Sequence, residues 1–450
     1  MSSNTHPGKP VSTTRRTFLK SATAAAAPAF IPNLRGEDAP GAKLSHAAIG
    51  VDGQGWSDLQ AIATHPSVNI TAICDVDTAR MAKAAEKFPQ ARKYQDWREL
   101  LEKEGDKIDS VNVTVPDHMH APIALAAMEN GKHCYCQKPL SHEVDEARKM
   151  REMGDKSGVV TQMGNQIQSF SEYRSGVHAI QQGVIGKIKE VYAWSGAAFP
   201  FDGRPEGEDP IPDSLDWDKW LGIAPERPYK AGIYHDFQWR GWRDFGGGGL
   251  GDFGCHILDS PFKALNLTAP KSVKATVDEA WLANEKQRAE NFPAWEKIEY
   301  VFPGTERSVG DTIKVTWFDG TKQPPREVFD FESAKRSIPG GGSLFIGEGG
   351  QMLLPHFSMP KLLPYKKNKE IKIENVGQRD HYHSFVNACL GTENTTSPFG
   401  FAGPMTEAVC LGHVANRFPD QQLDWDTESM KFTNFNAANA FTGREYRTGW

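Results

Sequence analysis

Between residues 44 and 140, short apolar runs alternate with stretches whose apolar residues recur at helical spacing. Ala47-Ala48-Ile49-Gly50-Val51 reads as a strand, 57–64 as a helix, and Asn69-Ile70-Thr71-Ala72-Ile73-Cys74-Asp75 as a second strand. Helical patterns over 79–88 and 97–103 lead to the strand Ser110-Val111-Asn112-Val113-Thr114-Val115. A further helix over 121–130 precedes the apolar run His133-Cys134-Tyr135-Cys136. Apolar strands separated by helices are the pattern of a parallel sheet covered on both faces, so an N-terminal Rossmann doubly wound α/β domain is expected.

The period changes after about residue 165. Segments 187–194, 271–277, 297–302 and 312–318 alternate apolar and polar positions, which predicts a C-terminal α/β domain with an open, mainly antiparallel sheet. A Gly-, Pro- and Trp-rich stretch, 197–249, lies between the first two and is too long for an ordinary connection, so it is expected to serve the site. Helical patterns at 380–390 and 404–417 are expected to pack back near the first domain, and 419–450 reads as irregular. The domain plan is signal and linker at 1–43, a nucleotide-binding domain at 44–165, a substrate and oligomerisation domain at 166–418, and an extension at 419–450.

A chain of 450 residues with 39% hydrophobic and 24% charged residues fits a soluble two-domain protein. The net charge of -6 disfavours a nucleic-acid partner, and no apolar run is long enough to span a bilayer. Many of the 12 tryptophans fall between 217 and 242; aromatic faces suit sugar C–H faces, although core filling is their commoner use. The cysteines form no Cys-x-x-Cys pair and read as buried thiols. His118/His120 and His235/Asp236 lack a convincing partner set, so no metal is expected.

Near the N-terminus, Thr14-Arg15-Arg16-Thr17-Phe18-Leu19-Lys20 precedes an alanine-rich stretch, the pattern of twin-arginine export over 14–29. It predicts a periplasmic protein carried folded by the twin-arginine translocase, with Ala27-Pro28-Ala29 as a cleavage site.

Gly50-Val51-Asp52-Gly53-Gln54-Gly55 lies between a strand and a helix, where a Gly-x-Gly-x-x-Gly loop cradles pyrophosphate. Asp52 replaces the second glycine, and its carboxylate is expected to crowd and repel phosphate. Asp75 ends the second strand at the distance where an acid accepts a ribose 2′-hydroxyl, with Asp77 as the alternative. An acid there would repel a 2′-phosphate, which favours NAD over NADP.

Lys138 follows the apolar run that ends at Cys136, at a strand's carboxyl end. Asp252 and His256 follow Gly246-Gly247-Gly248-Gly249 at an i, i+4 spacing, which puts both on one face of a helix. Oxidising a secondary alcohol needs a base for the O–H proton while hydride leaves for a nicotinamide. His256 suits the base, because imidazole titrates near neutrality. Lys138 suits the reacting oxygen, where it stabilises developing negative charge, and Asp252 would orient the imidazole or bind a neighbouring hydroxyl.

These motifs, with Val115-Pro116-Asp117-His118-Met119-His120 and Gln137-Lys138-Pro139, resemble the glucose–fructose oxidoreductase / inositol dehydrogenase family (Gfo/Idh/MocA) over 44–418. The family usually has Glu-Lys-Pro, so Gln137 is a departure, as is Asp52. The resemblance implies a Rossmann domain and a second domain whose open sheet often mediates homo-oligomerisation. It also places His120, after Pro116, on the nicotinamide side of the cleft. Asn165, Trp239 and Arg240 are expected to shape the substrate pocket.

The sequence therefore reads as an NAD(P)-dependent dehydrogenase acting on a sugar, glycoside or polyol. Two rivals remain open: a redox-assisted glycosidase that regenerates its NAD, and a non-catalytic sugar- or nucleotide-binding protein.

Overall fold

The computed structural model describes residue 1 and residues 43–450, Asp236 excepted. The export pattern at 14–29 and Asp236 of the His235/Asp236 pair lie outside those residues. Residues 43–450 belong to one compact unit.

Six parallel strands form the first sheet: β1 (Leu44–Ile49), β2 (Val68–Cys74), β3 (Arg92–Tyr94), β4 (Ser110–Val113), β5 (His133–Cys136) and β6 (Thr161–Met163). Their order is β3-β2-β1-β4-β5-β6, so the chain reverses its direction of travel across the sheet between β1 and β4. The loops leaving the carboxyl ends of these two strands diverge and leave a crevice, the usual ligand site of a doubly wound sheet. β4 and β5 are buried on both faces, and the polar residues of β4 are satisfied inside, Ser110 and Asn112 lying 2.8 Å and 2.9 Å from the ring nitrogens of buried His46.

The second sheet has nine strands in the order β13-β12-β11-β7-β10-β9-β8-β14-β15. They are β7 (Ile188–Ser195), β8 (Ser272–Val277), β9 (Glu296–Pro303), β10 (Thr312–Phe318), β11 (Gly341–Gly347), β12 (Gln351–Pro355), β13 (Lys361–Leu363), β14 (Leu423–Asp426) and β15 (Lys431–Phe432). Alternation is clear in β9, whose residues are buried at every second position. The sheet is antiparallel except that β7 pairs with β10 in parallel, a pairing that alternation alone cannot distinguish. The stretch expected to be irregular, 419–450, instead supplies two strands: Leu423 pairs with Val273 and extends the sheet past β8.

Helix His381–Cys389 lays Phe385, Val386 and Cys389 into the apolar cluster behind β1 and β2, joining the late helical segment to the first domain. The long 197–249 stretch builds its own aromatic cluster, including Trp217, Trp220, Trp242 and Phe245. Trp217 and Trp220 stack with ring centroids 4.7 Å apart, so most of these tryptophans fill a satellite core. The six cysteines are buried and unpaired.

Candidate active site

The carboxyl ends of β1, β4 and β5, together with the 235–256 region, enclose a cleft of about 530 Å³. Its nucleotide end is shaped by three glycines. Gly50 has φ +79°, and a Cβ there would stand 2.0 Å from the Thr114 carbonyl oxygen, so only glycine lets the β1 turn pass β4. Gly55 is equally tight, 2.2 Å from the Gly50 carbonyl oxygen by the same measure. Gly53 differs: its φ is +55°, yet a Cβ there would meet nothing within 4 Å. It faces open space at the start of helix Gln54–Ala63, whose N-terminus has no side-chain cap. Uncapped N–H groups and a helix dipole beside open space suit a pyrophosphate.

Asp52 does not use the left-handed backbone that aspartate tolerates; Gly50 and Gly53 take the positive φ values. Its carboxylate accepts a hydrogen bond from Arg80 at 2.8 Å, and the guanidinium offsets the repulsion expected of a lone acid. Asp75 accepts the Val51 N–H at 3.1 Å and the Asp77 N–H at 3.0 Å. Burial pushes its pKa up to about 6 against those two bonds. The acid thus pins the glycine turn, and its remaining lone pairs border the cleft. Asp77 caps the next helix through the Ala79 N–H and meets His235 at 3.2 Å.

Lys138 leaves the end of β5 and donates to the Asp252 carbonyl at 2.8 Å and to Asp252 Oδ1 at 2.7 Å. An ammonium has three donors, so one remains for a ligand oxygen. Asp252 Oδ1 also accepts from Arg240 Nε at 3.1 Å. The Arg240 guanidinium lies 4.2 Å from the ring centroids of both Phe237 and Trp239, which holds it as a rigid cation at the rim. Burial would raise the Asp252 pKa, but Lys138 and Arg240 overrule it and hold the carboxyl down at about 2. Asp117 lines the same cleft, where burial pushes its pKa up to about 7 against the pull of Lys138 and Arg240.

Asp252 lies in a π-helical turn, Leu250–Gly254, and His256 in the α-helical residues Cys255–Ile257 that follow. Both side chains line the cleft, but Asp252 is engaged by the two cations. The group that orients the imidazole is Asn165, whose Oδ1 is 2.8 Å from His256 Nδ1. The Asn165 amide donates to the Cys255 carbonyl at 2.8 Å and to Asp259 Oδ2 at 2.7 Å. Those two acceptors fix which end of the amide is oxygen, so His256 Nδ1 carries the proton and Nε2 keeps its lone pair. Burial, then the charge of Lys138, pushes the His256 pKa well below the usual imidazole value. His256 is therefore neutral at pH 7 with Nε2 open to a proton, but burial makes it a weaker base than the near-neutral imidazole expected from the sequence.

Gly50, Asp52, Gly53, Gln54, Gly55, Asp75, Pro116, His120, Lys138, Trp239, Arg240, Asp252 and His256 all line this one cleft. Asn165 does not; it is fully buried and acts through His256 rather than on a ligand. His120 borders the cleft with only 1% exposure, its ring nitrogens 2.7 Å from the Pro139 carbonyl and 2.8 Å from the Val115 carbonyl. It clamps the loop carrying Lys138 to the end of β4. Burial lowers its pKa to about 4, so it is neutral and donates to one of those carbonyls.

Sequence reasoning passed over Asp117 as a site group, although it stands in the motif after β4. It also missed Asp58, which binds Gln54, and His356, whose ring is 5.8 Å from that of His256. His356 comes from the turn after β12, a hundred residues downstream, with no local signal.

A Rossmann sheet with this cleft defines an NAD-binding oxidoreductase. Residues 44–165 match the oxidoreductase family NAD-binding Rossmann domain and 182–313 its C-terminal α/β domain, together more than half of the chain. The chain belongs to the Gfo/Idh/MocA oxidoreductase family. It is similar to a levoglucosan dehydrogenase of Pseudarthrobacter phenanthrenivorans, 26% identical over 188 residues, covering 42% of this chain and 40% of that protein. It also resembles a glycosyl hydrolase family 109 protein of Shewanella sp. (strain ANA-3), 29% identical over 149 residues, 31% of this chain and 32% of that one. The aligned region spans less than half the length of these curated relatives. Among solved structures, the WlbA dehydrogenase of Bordetella pertussis, in complex with NADH and UDP-GlcNAcA, has the same fold. Its TM-score is 0.60 at 16% identity, covering 85% of this chain and 99% of that one.

Proposed function

We propose that this protein uses NAD to oxidise a secondary hydroxyl of a sugar, glycoside or polyol. The observation that carries the reading is the pairing of two oriented groups in one cleft. Lys138 is anchored on Asp252 with one donor open, and His256 presents an unprotonated Nε2 fixed by Asn165. The residues at the nucleotide end suit NAD, which supplies the hydride acceptor. Gly50 and Gly55 permit the tight turn, Gly53 leaves room beside the uncapped helix start, and Asp75 borders the ribose end. His256 Nε2 takes the hydroxyl proton while Lys138 donates to the same oxygen and stabilises the charge that develops on it. Asp252 holds Lys138 in place through its carboxylate and its carbonyl. Arg240 and Trp239 form the rim against which a sugar face packs.

A panel of sugars and polyols incubated with the purified protein and NAD tests this by NADH absorbance. Lys138→Ala and His256→Ala should each abolish the signal on an active substrate; a variant with full activity refutes that residue's role. The resemblance to a glycosyl hydrolase family 109 protein supports a second reading, in which transient oxidation permits elimination of an aglycone and the NAD is regenerated. An aryl glycoside separates the two, since phenol release without NADH accumulation favours cleavage.

The Thr14–Lys20 pattern supports export to the periplasm by the twin-arginine translocase, with the fold and its NAD carried across together. Loss of periplasmic protein in an Arg15→Lys/Arg16→Lys variant is the expected result. The broad second sheet supports a homo-oligomer, read by light scattering.

A further inference from the structure

Beneath the glycine loop, a fully buried carboxylate has no role in the chemistry described above. Asp58 comes from the inner face of helix Gln54–Ala63. Its Oδ1 accepts from Gln54 Nε2 at 2.7 Å and from the Tyr382 hydroxyl at 2.8 Å. Its Oδ2 accepts from the Thr114 hydroxyl and from Gln137 Nε2, each at 2.9 Å. None of these four partners is a cation. The two amide NH2 groups can only donate. Each hydroxyl already accepts an amide, Asn112 Nδ2 on Thr114 and Gln166 Nε2 on Tyr382, each at 3.1 Å, which leaves its proton for Asp58. The site therefore suits an ionised carboxylate. Burial pushes the pKa of Asp58 up, and the four donors pull it back.

The bond to Gln137 has a directional consequence. With Nε2 committed to Asp58, Gln137 Oε1 turns to the backbone N–H of Lys138, which it accepts at 3.2 Å. The amide packs against the bare backbone of Gly164, where a Cβ would sit 2.6 Å from Gln137 Cδ, so only glycine admits it there. The cofactor-loop helix, the carboxylate, the amide and the catalytic lysine's backbone form one hydrogen-bonded chain. Gln137 is also the position where the family usually has glutamate.

We infer that Asp58 is a positioning residue for Lys138: its carboxylate orients the Gln137 amide, which holds the Lys138 backbone at the cleft. The acid and amide form a couple whose order can be exchanged. This rests on the proposed role of Lys138 only for its catalytic meaning; the geometry is tested without substrate. In Asp58→Asn an NH2 group meets the NH2 of either Gln54 or Gln137 whichever way it turns, while the hydroxyl on that side can turn and accept. If Gln137 flips to relieve one clash, its NH2 then faces the Lys138 N–H. In the double variant Asp58→Asn/Gln137→Glu the acceptor stands on the other side. The carboxylate now at position 137 can accept from both the amide at position 58 and the Lys138 N–H.

The full chain is acylated with acetic anhydride at fixed pH, and modification of Lys138 is followed by peptide mass spectrometry, with surface Lys103 as internal standard. Thermal melts and NADH fluorescence accompany each variant. The Lys138 rate is expected to change about tenfold or more in Asp58→Asn and to return to within about twofold of the parent in the double variant, since sub-ångström misplacement is amplified at a preorganised site. Gln137→Leu, which leaves three of the four donors on Asp58, should show the same change and serves if Asp58→Asn does not fold. An unchanged Lys138 rate in either folded single variant overturns the inference, as does failure of the exchange to restore it. A parent that binds NADH but oxidises no sugar would refute the proposed function and leave the Asp58 result standing.

Discussion

Replacing Asp252 by asparagine removes the one charge that holds two cations at the cleft. Lys138 and Asp252 are each 14% exposed, so their pairing is only partly screened by water. Holding the Asp252 carboxyl at about 2, against 3.8 for an ordinary aspartate, corresponds to about 2.5 kcal/mol of stability at neutral pH. Because the folded-state pKa is depressed, this stability is present above pH 3.8 and lost as pH falls toward 2. Asp252→Asn should forfeit it and leave Lys138 and Arg240 facing each other across a neutral group. The expected loss at pH 7 is about 2–3 kcal/mol, read as a shift in urea midpoint with unchanged slope. At pH 3 the gap to the parent should narrow to about half its neutral value. A difference under about 0.5 kcal/mol at pH 7, or one of constant size down to pH 3, would mean that the ion pair does not carry the stability assigned to it.

Asn165→Leu removes the amide from His256 Nδ1 and the Cys255 carbonyl and leaves Asp259 only its Gln168 and Tyr173 bonds, so a loss of about 1–3 kcal/mol is expected in a melt. With the tautomer no longer fixed, kcat should fall at least about tenfold while KM changes little; an unaltered kcat refutes the orienting role. The glycines separate fold from ligand. Gly50→Ala drives a Cβ into the Thr114 carbonyl and should lower stability by more than about 3 kcal/mol, whereas Gly53→Ala meets only the backbone cost of about 1 kcal/mol. Gly53→Ala should nonetheless weaken NADH binding measured by fluorescence, and unchanged affinity would show that its open face is not the pyrophosphate site.

The alternation of buried strands and helices before residue 165 was enough to identify the Rossmann sheet, because strands covered on both faces are predominantly apolar. The lysine after β5 and the glycine turn after β1 were legible for a related reason: strand ends and tight turns impose local constraints on residue type. Asp252 and His256 were found by spacing, but their relationship was not, since Asp252 lies in a π-helical turn and is engaged by two cations while Asn165 meets the imidazole. Alternation likewise revealed β7 and β10 without revealing that they pair in parallel, and 419–450 carried too few apolar positions to disclose the strands that extend the sheet.

What the chain alone determined was each element whose burial or backbone geometry leaves a mark within a few residues. Only the tertiary structure decided who orients whom. Asn165 reaches His256 across 91 residues, Gln137 reaches Asp58 across 79, and Tyr382 reaches Asp58 across 324. A hydrogen bond depends on distance and direction in space, and nothing in the local pattern around either partner records it.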